Sequence, residues 1–182
     1  MKIIDHPSPN FEPRKAEPLD MVIIHYTDMR PCEAALERLC DVQAKVSAHY
    51  LISKAGEIYR LVDEEMRAWH AGVSQWDGRI DINSHSIGIE LDHCPDDGVY
   101  EPSQIDALII LLKDINTRHQ INPAYVLGHD EIAPERKQDP GPYFPWYILE
   151  ECGLAKLDNR PLIERYKSQM SEGRMAAPDT SS

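Results

Sequence analysis

Apolar residues in this chain come in short runs whose spacing alternates between that of strands and that of helices. Met21-Val22-Ile23-Ile24-His25-Tyr26 is short, β-branched and preceded by a loop, the pattern of a buried strand. Helical spacing follows in Glu33 to Cys40, with apolar positions at Ala35, Leu36, Leu39 and Cys40. Ala48 to Ser53 and Glu57 to Val62 are strand-like and flank Lys54-Ala55-Gly56, which predicts a hairpin with glycine in its turn. Gly72 to Ser84 shows no clear period and reads as a long loop, and Ile87 to Leu91 as a further buried strand. Pro102 to His119 is the best helix: Pro102 suits its first position, and Ile105, Leu108, Ile109, Leu112 and Ile115 form one stripe. Ala124 to Gly128 predicts a strand ending at His129, Pro134 to Pro145 a loop, and Trp146 to Glu151 the opening of a last helix.

Strands interleaved with helices predict an α/β single domain with a central mixed β-sheet flanked by helices. The proline-spaced residues 1–19 predict an extended N-terminal arm (Pro7, Pro9, Pro13, Pro18), residues 20–170 the domain proper, and residues 171–182 a disordered tail. No internal repeat is present.

A length of 182 residues suits one core, and 42% hydrophobic with 27% charged residues is ordinary globular composition. The net charge of -12 argues against a nucleic-acid partner, because phosphate neutralisation needs clustered Lys and Arg. The longest apolar run, Ala107 to Leu112, falls far short of the roughly 20 residues of a membrane span. Cys32, Cys40, Cys94 and Cys152 form no CxxC pair, and the N-terminal residues form no signal peptide. Both features point to reduced thiols and a cytoplasmic protein; a chain whose leader had been removed, placing it in the envelope, would read the same.

Among eight histidines, His25 and His129 sit at the ends of predicted buried strands, where chemistry is often placed. After His129 comes Asp130-Glu131-Ile132-Ala133-Pro134-Glu135-Arg136-Lys137-Gln138-Asp139-Pro140-Gly141-Pro142. The proline after Asp139 biases it to extended backbone, in which Lys137 and Asp139 project to one side. An imidazole, an ammonium and a carboxylate would then share one mouth.

Five strings in order carry a more specific signal: Ile23-Ile24-His25-Tyr26-Thr27, Ser47-Ala48-His49-Tyr50, Trp69-His70-Ala71-Gly72, Ser86-Ile87-Gly88-Ile89-Glu90, and Gly128-His129 through Asp139-Pro140-Gly141-Pro142. Together they closely resemble the AmpD-like N-acetylmuramoyl-L-alanine amidases, related to peptidoglycan recognition proteins, over about residues 20–147. The resemblance implies that His25, His129 and Asp139 bind zinc and that Glu90 and Lys137 are the catalytic partners. Two imidazoles and a carboxylate suit a catalytic zinc with one open position. The implied reaction is hydrolysis of the amide between N-acetylmuramic acid and L-alanine in muropeptides or peptidoglycan fragments, with Glu90 shuttling the proton and Lys137 facing the oxyanion.

His70 and Asn83 are expected to shape or contact the substrate cleft, His49 to lie in cleft or core, and Arg79 to offset the negative field. Trp69 and Trp76 are candidates for a sugar-facing wall, against ordinary core packing. Three rival readings remain open: a non-catalytic muropeptide-binding module, a zinc peptidase cutting within the stem peptide, and a lytic enzyme of intact wall. The RKQDPGPYFPW run also resembles the broader-specificity, envelope-located branch, so any demand for a 1,6-anhydro sugar is open.

Overall fold

Met21 to Ile24 are buried on both faces, the signature of an inner strand covered on each side. In the computed structural model, which describes residues 2–157, that run is one of six strands in the central sheet. The first half of the chain supplies β1 (Ile3–Asp5), β2 (Phe11–Pro13), β3 (Met21–Tyr26), α1 (Cys32–Cys40), β4 (Tyr50–Ile52), β5 (Ile58–Arg60) and β6 (Met66–Ala68). Then come β7 (Gln75–Trp76), β8 (Arg79–Ile80), α2 (Ile82–His85), β9 (Ser86–Leu91), α3 (Pro102–His119), β10 (Val126–Gly128), α4 (His129–Ile132) and α5 (Trp146–Glu151).

The sheet order is β1-β5-β4-β9-β3-β10. It is mixed: β4 and β5 pair antiparallel around Gly56, while β3 runs parallel to both β9 and β10. Alternation decides what each face carries. Val22, Ile24, Ile87 and Ile89 pack with Leu108, Leu111, Leu112, Ile115, Trp146 and Leu149 of α3 and α5. Met21, Ile23 and Leu127 meet Ala71, Ile82 and Ile132 on the other face. Leu51 joins α1 through Ala35, Leu36 and Leu39. His25 and Glu90 share the second face and are register partners, so the strand pattern itself sets them side by side.

The helix over Pro102–His119 forms with the expected bounds, though Leu111 is buried and Ile109 is only partly so. Two stretches differ from expectation. Residues 72–84 hold the β7/β8 ribbon and α2 rather than plain loop. Asp77-Gly78 forms the ribbon's turn with both φ angles positive (49° and 74°), which matches the twist of a tight hairpin. Residues Pro123–Tyr125 form a 3-10 turn, with Asn122 capping the Ala124 N–H at 3.0 Å, so the strand begins only at Val126.

The arm is extended, and it is built into the fold: β1 adds a parallel strand beside β5, and β2 pairs with β6. The four cysteines are free thiols. The tail expected at 171–182, and the end of the domain at 170, lie outside the described residues.

Candidate active site

Three parallel strands end close together, and each delivers a polar side chain: His25 from β3, Glu90 from β9, and His129 directly after β10. The loop after α4 brings back Asp139, fastened where its carbonyl accepts the Asp130 N–H at 2.9 Å. His25 Nδ1 lies 2.9 Å from His129 Nδ1 and 2.9 Å from Asp139 Oδ2, and His129 Nδ1 is 3.0 Å from the same oxygen. All three residues are buried.

Protons cannot fill this triangle. His129 Nε2 faces the Ala71 carbonyl at 3.0 Å; a carbonyl only accepts, so in the ring bearing one hydrogen that nitrogen carries it and Nδ1 is the lone pair. Ser86 Oγ donates to the Ile82 carbonyl at 2.7 Å and therefore accepts from His70 Nε2 at 3.3 Å. His70 Nδ1 is then an acceptor for His25 Nε2 at 3.0 Å, which leaves His25 Nδ1 as a second lone pair. Burial, followed by neighbouring imidazoles, holds His70 well below the usual histidine range and His25 at about 4, so both rings are neutral near pH 7. Asp139 is the acidic member: burial opposes its ionisation, but its close contacts with His129 and His25 outweigh burial and press its pKa down. Two lone pairs and a carboxylate oxygen about 3 Å apart repel unless a cation sits among them. A point about 2 Å from all three, the distance zinc takes to nitrogen and oxygen, lies just off their plane. The donor set fits zinc.

Beside the triangle opens a cleft of about 440 Å³. Glu90 lines it, and its Oε2 has no hydrogen-bond partner among the described residues. Burial first, then the charge of Asp139, raises the Glu90 pKa well above the usual carboxylate value, against the pull of Lys137. A carboxylate whose pKa is lifted toward neutrality is suited to exchange protons. Lys137 also lines the cleft, with Arg38 of α1 and Arg136 beside it and Met29, Leu39 and Val46 as an apolar wall. One cleft thus joins a proton-exchanging group, cations and apolar surface.

The structure places the other expected residues more deeply. His70 touches the cleft, yet its ring is buried and spends both nitrogens on His25 and Ser86. Asn83 does not line the cleft; its Oδ1 accepts the backbone N–H groups of His70 (3.0 Å) and Ala71 (2.8 Å). His49 belongs to the core: it is fully buried, accepts the Gly88 N–H at 2.9 Å and faces the Met66 carbonyl at 3.1 Å. Trp69 and Trp76 do not line the cleft, and Trp76 packs, partly buried, against the cluster on the second sheet face. Arg79 is spent on Asp20 at 2.7 Å and on the Tyr125 ring, so it does not face the cleft as expected. Arg136 does, donating to the Ala71 and Val73 carbonyls at 2.8 Å. Arg38, Arg136, Ser86 and Arg14 were not singled out from the sequence. For Arg136 the signal was available, since it neighbours Lys137; for Arg38 the signal was its place on the helix after the His25 strand.

Residues 15–142 match the family described as N-acetylmuramoyl-L-alanine amidase. The N-acetylmuramoyl-L-alanine amidase AmiD of Escherichia coli is 42% identical over 163 residues, covering 81% of this chain and 58% of that one. The 1,6-anhydro-N-acetylmuramyl-L-alanine amidase AmpD of Escherichia coli is 36% identical over 158 residues, covering 77% and 86%. The chain thus spans little more than half the length of AmiD, and 54% of the AmpD of Citrobacter freundii. Two solved structures share the fold: AmiD in complex with anhydro-N-acetylmuramic acid-L-Ala-D-gamma-Glu-L-Lys and AmpD as its Se-Met derivative. The first has TM-score 0.70 at 40% identity, covering 78% of this chain and 61% of that one. The second has TM-score 0.74 at 32% identity, covering 85% and 94%.

Proposed function

Because the chain belongs to the N-acetylmuramoyl-L-alanine amidase family, we propose that it is a zinc-dependent hydrolase of the amide between N-acetylmuramic acid and L-alanine in peptidoglycan fragments. The observation that carries this is the triangle of two imidazole lone pairs and one carboxylate beside half-buried Glu90, whose buried Oε2 has no hydrogen-bond partner among the described residues. His25, His129 and Asp139 would hold the ion, which when bound polarises a carbonyl and lowers the pKa of water to about 7.

The protein's own groups do the rest. Glu90 takes a proton from the attacking water as its oxygen bonds to the lactyl carbonyl carbon. The same carboxyl passes that proton to the alanine nitrogen as the C–N bond breaks, leaving a free stem peptide and a muramic acid carboxylate. Lys137 faces the oxyanion, where loss of one donor typically costs about 100- to 1,000-fold in rate. Arg38, Arg136 and Lys137 bring three cations to a cleft that also holds Asp28, Glu90 and Asp139, so in a protein of net charge -12 an anionic peptide finds cationic partners there. AmiD's complex holds such a ligand, a muramoyl peptide bearing a γ-linked glutamate. A complete donor set with an unpartnered carboxylate supports hydrolysis over binding alone. Among the described residues no helix is long and apolar enough to cross a membrane.

The test is a mass-spectrometric digest of two muropeptides, one with a reducing and one with a 1,6-anhydro muramic end, with and without chelator. Release of intact stem peptide, lost with chelator and restored by zinc, is expected. Cleavage inside the stem would make the protein a peptidase, and uncut muropeptides with zinc-loaded protein would make it a binding module. The preferred member of the pair separates fragment recycling from general wall turnover.

A further inference from the structure

The groups that orient the two imidazoles trace back to one short segment. Ser86 accepts from His70, and His70 in turn accepts from His25; that is one branch. Asn83 grips the backbone at His70 and Ala71, and the Ala71 carbonyl receives His129 Nε2; that is the other. Both start within residues 83–86, at the junction of α2 and β9.

The N-terminal arm holds this junction. Arg14 Nη1 donates to the carbonyls of Asn83 (3.0 Å), Ser84 (3.0 Å) and Ser86 (3.2 Å). Its Nε and Nη2 donate to the Glu64 carbonyl (3.2 and 2.9 Å), and Nη2 also reaches Met66 (2.8 Å). A planar guanidinium with five donors is suited to cross-link two backbone segments in this way, and a lysine has three donors on one nitrogen and no fork. Arg14 lies one residue before the segment matched by the family. Burial, its largest influence, lowers its pKa only to about 10, so it keeps its charge at neutral pH.

We infer that Arg14 and residues 83–86 form a single brace that sets the orientation and tautomer of both His25 and His129, Arg14 acting as a positioning residue of the N-terminal arm. The inference rests on the zinc reading above, because the two Nδ1 lone pairs matter only as ligands. Orienting partners of metal-bound histidines typically carry about 10- to 100-fold in metal affinity.

The test uses the full chain and two readouts. Long-range ¹⁵N–¹H spectra of the zinc-free protein report which nitrogen of each ring bears hydrogen, and chelator competition gives the zinc Kd. Ser86→Ala should disturb the His25 ring and spare His129; Asn83→Ala, which also frees the His70 N–H, should disturb His129 more than His25. Arg14→Lys should disturb both, and each variant should bind zinc about 10- to 100-fold more weakly. Ser86→Thr, which keeps the hydroxyl, should restore the His25 signal. The brace is overturned if Ser86→Ala and Asn83→Ala hold zinc within about twofold of wild type, or if each disturbs both rings alike, as general loosening would. It is also overturned if folded Arg14→Lys leaves both rings unchanged; should that variant not fold, the two branch variants decide. Wild-type protein that fails to bind zinc refutes the metal reading instead, and the ring signals then decide the brace alone.

Discussion

Gly88 lies in the middle of β9, directly beneath the His70 ring. A Cβ added there would sit 2.4 Å from His70 Cγ and 2.6 Å from Cδ2 and Nδ1. Carbon atoms rest at about 3.5–4.0 Å, so the ring would have to retreat by about 1 Å. The strand cannot yield in its place, because Gly88 is pinned through its N–H to His49 Nδ1 (2.9 Å) and through its carbonyl to the His49 N–H (3.0 Å). Retreat would stretch the 3.0 Å contact between His70 Nδ1 and His25 Nε2 past hydrogen-bonding range. Overpacking costs about 1–3 kcal/mol and the lost bond about 1 more, so Gly88→Ala should cost about 2–4 kcal/mol. At about 2–4 °C per kcal/mol for a chain of this size, Tm should fall by about 4–16 °C. Calorimetry on Gly88→Ala, His70→Ala and the double variant separates the clash from other losses. With the ring gone the added methyl has room and the His70–His25 bond is lost only once, so the double variant should be more stable than the summed singles by about 2–4 kcal/mol. Additivity within about 0.5 kcal/mol, or an unchanged Tm in Gly88→Ala, would refute the reasoning.

Asp139→Ala should lose bound zinc together with activity, checked by metal analysis after dialysis; full occupancy would remove Asp139 from the ligand set. Glu90→Gln should keep zinc and lose about 100- to 10,000-fold in kcat, and a near-wild-type rate would place the proton shuttle elsewhere. Since Glu90 must be ionised to accept a proton and its pKa is raised, kcat/KM should fall on the acid side at a pH above that of an ordinary carboxylate. Away from the site, Glu64 has its pKa lowered to about 2: burial works against this, but hydrogen bonds from Arg118, His119 and Tyr50 win. A depressed carboxylate stabilises the fold above its unfolded pKa of about 4.5 and loses that contribution as pH falls toward about 2. Denaturant titrations should therefore show wild type losing on the order of 2–3 kcal/mol more than Glu64→Gln across that window. Parallel pH curves for the two proteins would contradict the assignment.

What the sequence revealed depended on whether an interaction leaves a mark in residue types. Met21 to Ile24 and Pro102 to His119 were legible because burial is written in apolar spacing and a helix start in Pro102. The meeting of His25, Glu90, His129 and Asp139 was legible through ordered strings at strand ends, since a site needs those particular side chains. Arg14 was not, because, apart from His49, its partners are backbone carbonyls of Glu64, Met66, Asn83, Ser84 and Ser86, which any residue would supply. His70 and Asn83 read as cleft residues because a polar side chain near a site looks alike whether it faces substrate or a neighbouring ligand. The Asp77-Gly78 turn leaves no periodic mark because its flanking strands are two residues each, too short for any period to show.

The three atoms of the triangle come from distant parts of the chain: His25 is 104 residues from His129 and 114 from Asp139. The unfolded chain holds no such arrangement, so whatever cation binds there binds the folded state alone. By mass action its free energy of binding is then added to the stability of the whole domain, about 2.7 kcal/mol when the free ion stands at 100 times its Kd. Melting temperature becomes a metal titration in its own right, rising by about 5–11 °C over that range. An ion held there would therefore govern how long the protein stays folded as well as the proposed turnover.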